Sequence, residues 1–171
     1  NGNIVKSNIF KKCYFQPASS DNGVSLGAAL LAENRNEKFS FSQLSTLNNL
    51  YYGSSYEDKE ILQLLKKAKV KFRFSDNISY EAAKSISENK LIGWFQGQME
   101  VGARSLGGRS ILANPLSPQA RDLVNLNVKN REKWRPFCPS VKVESFEKYF
   151  NGNIDSSNPF YMIIAYDVQK D

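Results

Sequence analysis

The sequence predicts an α/β fold in which helices and strands alternate and pack in layers. Three observations predict it: segments of helical and of strand periodicity alternate along the chain, several helical segments open on capping residues, and no segment repeats. Hydrophobic residues make up 41% of the 171 residues, and a chain of this length can bury a core without disulfides. No apolar run reaches the roughly 18–20 residues of a membrane span.

The first part of the chain predicts a strand and a helix, followed by a polar connection. Residues 13–16 (CYFQ) end at Pro17, which suits a short strand. A turn follows, and apolar residues at helical spacing predict a helix over residues 24–34. Residues 34–56 are rich in Asn and Ser, which predicts a linker and a domain boundary.

The remaining elements follow from caps and periodicity. Ser54 and Ser55 each stand three residues before an acidic residue, which predicts the start of an amphipathic helix. Ser79 and Ser117 are candidate caps for helices over residues 80–88 and up to about residue 126. Apolar or alternating patterns predict strands over 70–74, 91–96, 109–113, 140–143 and 160–168, and a helical turn over 146–150.

Charge and residue types narrow the chemistry. The chain has 23 Lys and Arg against 17 Asp and Glu, a formal charge of +6, and no histidine. The positive balance favours an anionic ligand such as a nucleotide or a phosphate. The absence of histidine excludes a Ser-His-Asp triad, a Cys-His pair and a His-ligated zinc site built from this chain alone. Cys13 and Cys138 form no CxxC motif and predict two buried free thiols, with one long-range disulfide as the alternative.

The first residues, NGNIVK, include neither an initiating Met nor the apolar stretch of a signal peptide. We therefore expect a cytoplasmic protein without a membrane partner, and a chain that is a piece of a longer polypeptide.

Residues 97–110 form a glycine-rich segment between two predicted strands. It holds four glycines and two arginines, Arg104 and Arg109. Glycines let the backbone approach an anion and form a nest of N–H groups, and arginine adds a planar fork for phosphate. The segment is neither a Walker A motif nor a GxGxxG turn before a helix. A glycine-rich turn with solvated arginines is the open alternative.

Residues 127–137 form a basic–aromatic block. Four basic residues alternate with Trp134 and Phe137, and arginine stacked on an aromatic ring can bind a base. The alternative is a solvated helix end with an aromatic anchor. The block and the glycine-rich segment flank one predicted helix, so both could bind a single polyanion.

Three segments resemble the NodU/CmcH-type carbamoyltransferase family. They are residues 15–29 (FQPASSDNGVSLGAA), 94–115 (WFQGQMEVGARSLGGRSILANP) and 128–141 (VKNREKWRPFCPSV). The resemblance implies an N-terminal transferase domain of actin/sugar-kinase-like fold, similar to TsaD. It also implies a C-terminal YrdC-like activating domain with a twisted mixed sheet and flanking helices. Residues 1–35 would then be the end of the transferase domain, and residues 36–171 an incomplete YrdC-like domain.

The same resemblance implies a reaction. Carbamoyl phosphate and ATP, with Mg²⁺, would give a carbamoyl-adenylate, and a hydroxyl of a sugar or secondary metabolite would accept the carbamoyl group. Within this mechanism we expect Arg104, Arg109 and Lys129 to be catalytic. Substrate or nucleotide binding is expected from Arg131, Arg135, Ser110, Asn114, Gly102 and Gly107. Asp21 would ligate Fe²⁺ or another divalent metal only with histidines of the N-terminal domain.

Two other functions stay open at this stage. One is a YrdC-like threonylcarbamoyl-adenylate synthase of tRNA modification. The other is a non-catalytic basic module that binds nucleotide or nucleic acid, although acidic residues such as Glu132 and Glu144 are interspersed, so we do not expect a nucleic-acid partner. The expected macromolecular partners are the remainder of the polypeptide and, through an exposed sheet edge, a second copy of the chain.

Overall fold

The computed structural model describes residues 1–35, 49–152, 154 and 159–170. The chain divides into two compact units. The first comprises Asn1–Tyr52, Glu100–Leu106 and Val141–Asp171, and the second comprises Gly53–Met99 and Gly107–Ser140. Most of the predicted linker, residues 36–48, lies outside the described residues.

Helices and short strands alternate. The α-helices are α1 (Gly2–Lys6), α2 (Asp21–Asn34), α3 (Asp58–Lys67), α4 (Ile78–Ser87), α5 (Ala120–Leu123) and α6 (Phe146–Tyr149). The strands are β1 (Ile92–Phe95), β2 (Arg109–Leu112), β3 (Phe150–Asn151) and β4 (Asp167–Val168). A π-helix spans Val124–Val128, and 3₁₀ turns span Val143–Ser145 and Pro159–Tyr161. The mixed α and β content is confirmed, whereas the strands of the described residues form two separate antiparallel pairs instead of one layered sheet.

Helix α2 of the first unit confirms the predicted helix and begins three residues earlier, at Asp21. A glycine is required near its start, because a Cβ on Gly23 would lie 2.0 Å from the carbonyl oxygen of Ala18. The strand predicted over residues 13–16 is wrong: this segment has no strand partner among the described residues.

The core of the first unit lies around Phe146, which is buried. Its ring packs edge-on against Tyr166 at a centroid distance of 5.1 Å, and it lies tilted by 34° against Phe150 at 5.4 Å. Strands β3 and β4 pair beside this cluster. Helix α1 is tied to the segment before and within β4, since Lys6 forms an ion pair of 2.7 Å with Asp167. This unit therefore joins the first residues of the chain to residues near 167.

Two predicted strands of the first unit are corrected. Residues 140–143 do not form a strand, and a 3₁₀ turn begins at Val143. The strand predicted over 160–168 is reduced to its last two residues, β4. The physical reasons are the 3₁₀ turn that begins at Pro159 and the positive φ of Met162, +55°, which interrupts an extended backbone.

The second unit contains two helices of 10 residues each, α3 and α4. Helix α3 confirms the predicted amphipathic helix, but its cap is Glu57, which shares a capping box with Glu60, and not Ser54 or Ser55. Helix α4 is capped by Asn77, whose Oδ1 accepts a hydrogen bond of 3.1 Å from the amide of Tyr80, two residues before the predicted cap.

Strands β1 and β2 confirm two predicted strands and pair in antiparallel register, with Ile92 opposite Leu112 and Phe95 opposite Arg109. The strand predicted over residues 70–74 does not form. Lys69, at φ +54°, ends helix α3, and no described strand pairs with the segment that follows. Its Phe74 side chain is consequently exposed.

The helix predicted to run from Ser117 begins at Ala120 and continues as a π-helix to Val128. Both cysteines are free, as predicted, but neither is buried: Cys13 is half-buried and Cys138 is exposed. In the part of the chain that the structure describes, no helix combines the length and apolarity needed to cross a membrane.

Candidate functional site, a two-arginine anion site

The basic–aromatic block is fixed by one buried amide, Asn125, in the π-helix. Its side chain is fully buried. Its Nδ2 donates hydrogen bonds to the carbonyl oxygens of Lys133 at 3.2 Å and Arg135 at 3.0 Å, and its Oδ1 accepts one of 2.7 Å from Nε of Arg131. Buried amides are stable only when such bonds are made. Asn125 therefore joins the π-helix to the loop that follows it.

Arg131 is held on two sides. Its Nε is bound by Asn125, and its guanidinium carbon lies 4.8 Å from the ring centroid of Phe137, a cation–π distance. Among the described residues, no side chain or carbonyl accepts a hydrogen bond from its two Nη groups. These groups can accordingly bind both oxygens of a phosphate or carboxylate.

Arg135 is arranged in the same way. Its Nε donates a hydrogen bond of 2.8 Å to Glu132, and its guanidinium carbon lies 5.7 Å from the ring of Trp134. The pKa of Glu132 is lowered, first by a hydrogen bond from its own backbone amide and then by Arg135. Glu132 is thus an anion at neutral pH and orients Arg135.

Both arginines line one open hollow of about 700 Å³, together with Leu126, Asn130 and Glu132. The hollow is open to solvent, because four of its five lining residues are exposed and only Arg131 is half-buried. Asn130 adopts φ +46°, a left-handed conformation that Asn tolerates better than most residues. Two guanidinium charges against one carboxylate leave the hollow with a net positive charge, so its chemistry suits an anion.

The other predicted residues of the second unit lie elsewhere than in the lining of this hollow. Arg109 and Ser110 are half-buried in β2, and Lys129 is exposed just after the π-helix. Asn114 donates a hydrogen bond of 2.8 Å to Asn89 and supports a turn. Gly107 has φ +104°, as a glycine-rich turn requires.

Three predicted residues belong to the first unit. Arg104 and Gly102 lie in the segment Glu100–Leu106, where the buried carboxylate of Glu100 accepts a hydrogen bond of 2.8 Å from the amide of Leu106. Arg104 is exposed on this segment, and Gly102 has φ +104°. Asp21 is the exposed first residue of α2.

The described residues contain no cluster of three Asp, Glu, Cys or His side chains that could hold a metal ion. Asp21 alone does not make a metal site, so a metal there would need ligands from outside the described residues. Its role as a ligand stays a prediction.

Sequence reasoning identified both arginines of the hollow but missed Asn125. A signal existed: Asn125 stands between Val124 and Leu126 in a helix whose neighbouring residues are apolar. A polar residue inside such a run is favoured where its side chain makes specific hydrogen bonds.

Comparison with known proteins agrees with the three segments of the sequence. The family described as carbamoyltransferase C-terminus matches residues 83–171, which include the hollow. An uncharacterized protein of Methanocaldococcus jannaschii is 38% identical over 100% of this chain and 28% of its own length. Nodulation protein NolNO of Sinorhizobium fredii is 37% identical over 88% of this chain and 22% of its own length. The 3′-hydroxymethylcephem-O-carbamoyltransferase of Streptomyces clavuligerus is 36% identical over 45% of this chain and 15% of its own length.

These similarities define a class of group-transfer proteins. The chain belongs to the carbamoyltransferase family, within the C-terminal part of that family. It spans little more than a quarter of the length of the curated relatives that match it throughout.

Proposed function

We propose that this chain provides the carbamoyl-activating part of an O-carbamoyltransferase, with carbamoyl phosphate and ATP as its substrates. One observation carries the proposal: two arginines, each secured at Nε and stacked on a ring, line a single hollow in the family's C-terminal part. Both substrates are phosphate anions, and paired guanidinium groups are suited to them. The printed name of one relative, an O-carbamoyltransferase, supports the reaction type.

The proposed reaction has three steps. Carbamoyl phosphate and one water give carbamate and inorganic phosphate. A carbamate oxygen attacks the α-phosphorus of ATP, and pyrophosphate leaves. An acceptor hydroxyl then attacks the carbonyl carbon of the carbamoyl-adenylate, AMP leaves with the electron pair, and the hydroxyl proton is released.

The basic residues of the chain would bind and stabilise the phosphate charges of this reaction. Arg131 and Arg135 would bind phosphate oxygens and stabilise the charge that develops on the leaving pyrophosphate, as fixed donors do in phosphoryl-group chemistry. Mg²⁺, when bound with ATP, would neutralise further phosphate charge. We retain as proposals the catalytic roles of Arg104, Arg109 and Lys129, and the binding roles of Ser110, Asn114, Gly102 and Gly107.

The domain assignment is likewise a proposal. Residues 36–171 would belong to a YrdC-like domain, and residues 1–35 to the end of a transferase domain in which Asp21 ligates a divalent metal. The acceptor would be a hydroxyl of a sugar or of a secondary metabolite.

The test is exchange of labelled pyrophosphate into ATP by the purified chain with Mg²⁺. We expect exchange that depends on carbamoyl phosphate and falls about tenfold or more in Arg131→Met, since a charge-assisted hydrogen bond contributes roughly 1.5–3 kcal/mol. Arg121→Met is the matched control, because Arg121 is exposed, pairs only with its neighbour Asp122 in the described structure, and does not line the hollow.

Two results would contradict the proposal. Exchange that depends on L-threonine and bicarbonate in place of carbamoyl phosphate would identify a threonylcarbamoyl-adenylate synthase. Equal loss of exchange in Arg121→Met and Arg131→Met would show that general charge, and not the hollow, supports the reaction.

A further inference from the structure

Asn125 is a buried polar residue outside the lining of the hollow, and its three side-chain hydrogen bonds all reach the block that carries the two arginines. It is the one fully buried large side chain among the described residues. At a buried helix position, an apolar residue would avoid the desolvation free energy that a polar side chain costs. A buried amide with every bond satisfied specifies one arrangement of its partners.

We propose that Asn125 is the positioning residue of the anion site: it fixes the orientation of Arg131 and the path of the loop up to Arg135, so that both guanidinium groups face one ligand. This inference rests on the proposed function, because it assumes that the hollow binds phosphate. Asn125 acts through the arginines and does not itself contact the anion.

The bond geometry supports this role. The 2.7 Å bond from Arg131 Nε to Asn125 Oδ1 occupies the Nε–H donor and leaves the two Nη groups for a ligand. The Phe137 ring at 4.8 Å restricts the plane of the same guanidinium. Two constraints on one planar group define both its tilt and its rotation.

The Asn125 side chain also constrains the loop that follows the π-helix. Asn125 Nδ2 donates to the carbonyls of residues 133 and 135, and Asn125 O accepts a hydrogen bond of 3.0 Å from the amide of Arg131. Asn125 lies in the π-helix Val124–Val128, a type of turn that is frequent at functional sites. The positions of both arginines thus depend on one side chain.

The experiment measures the affinity of the purified chain for inorganic pyrophosphate by calorimetry, in a double-mutant cycle of Asn125→Ala and Arg131→Met. We expect each single variant to lose affinity about tenfold or more, and the double variant to lose less than the product of the two single losses, because Arg131 is one of the two arginines that Asn125 positions. Asn127→Ala is the matched control, since Asn127 is an exposed asparagine of the same π-helix, and it should bind as the unchanged chain does. Asn125→Asp is the second variant in case Asn125→Ala does not fold, because it keeps the volume and the acceptor oxygen but loses both donors; we expect the same loss.

A spectroscopic readout separates positioning from a structural role. The Nε–H resonance of Arg131, followed by NMR on isotope-labelled arginine, should be protected from exchange with water and should lose that protection in Asn125→Ala. Additive losses of affinity in the cycle, or a protected Nε–H in the folded variant, would overturn the inference. If Arg131→Met itself leaves pyrophosphate affinity unchanged, the proposed anion site fails instead.

Discussion

Gly23 and Gly27 lie in one helix, α2, and alanine at these two positions should have opposite effects on stability. At Gly27 a Cβ would meet no atom within 4 Å. At Gly23 it would lie 2.0 Å from the backbone carbonyl oxygen of Ala18, although real Cβ atoms essentially never come closer than 3.0 Å. The start of the helix would have to move by about 1 Å or more. The atom that the new Cβ meets belongs to the backbone, which cannot move aside as a flexible side chain can.

The magnitudes follow from these distances. Replacing Gly27 by Ala should stabilise the chain by about 0.5–1 kcal/mol, because alanine loses less backbone entropy in a helix. Overpacking of well-packed regions costs typically about 1–3 kcal/mol, which exceeds the helical gain at Gly23. We expect Gly23→Ala to lose about 1–2 kcal/mol net, so the two variants should differ by roughly 1.5–3 kcal/mol.

Urea unfolding followed by circular dichroism measures this difference, with thermal unfolding as a second probe. For a chain of this size the gap corresponds to roughly 3–12 °C in Tm. The reasoning is refuted if Gly23→Ala is as stable as Gly27→Ala, since the approach of α2 to Ala18 would then not require glycine.

Three further predictions concern titration, backbone conformation and thiol reactivity. An NMR titration should give Glu132 a pKa below the ordinary glutamate value. Arg135→Met should raise that pKa only part of the way, because the backbone amide of Glu132 is the larger cause of the shift. The contribution of ionised Glu132 to folding stability is present above the ordinary pKa and disappears as pH falls through the lowered pKa. Gly102→Ala should destabilise the chain by about 1–2 kcal/mol in urea unfolding, because its φ of +104° is strained for any L side chain, whereas Gly93→Ala, with nothing within 4 Å of its Cβ, should not. A thiol reagent should titrate both cysteines without prior reduction. The pH midpoint for Cys138 should lie above that of a free thiol, because the protein partly shields the sulfur of this exposed residue from water and so raises the pKa of its thiol; a midpoint at or below the ordinary value would contradict this.

The elements that sequence reasoning located are those whose signals are local. Helix α3 follows from apolar residues at helical spacing, and β1 and β2 are short apolar strands that pair with each other across one connection. Residues 70–74 alternate as a strand does but have no described partner strand. Alternation determines which side chains share a face, but it does not provide a neighbouring strand for backbone hydrogen bonds. Caps were misplaced by two or three residues for a similar reason: Ser54 and Ser79 have the right chemistry, but capping depends on backbone geometry at Glu57 and Asn77.

The candidate site was likewise predicted from the sequence only in part. Arginines beside aromatic residues indicated the cation–π pairs of Arg131 and Arg135, because these partners are close in sequence. Asn125 was missed because it stands before the basic–aromatic block, and its bonds to that block depend on the path of a turn that the side chain itself determines. The predicted common clamp of Arg104 with the basic block requires tertiary information of a kind that spacing alone does not contain.

The first unit is discontinuous in sequence, and this has a consequence for the order of folding during synthesis. Helix α1 must wait for the segment around Asp167, whereas the second unit is built from segments that leave the ribosome earlier. At typical elongation rates about 10–30 s separate the two halves of the α1–β4 contact. During this interval the high contact order of the first unit leaves its early segments without their partners. Slow translation across residues 141–171 would prolong the time for which the first unit is only partly synthesised. Codon choice there should therefore affect the yield of folded protein more than codon choice across residues 53–99.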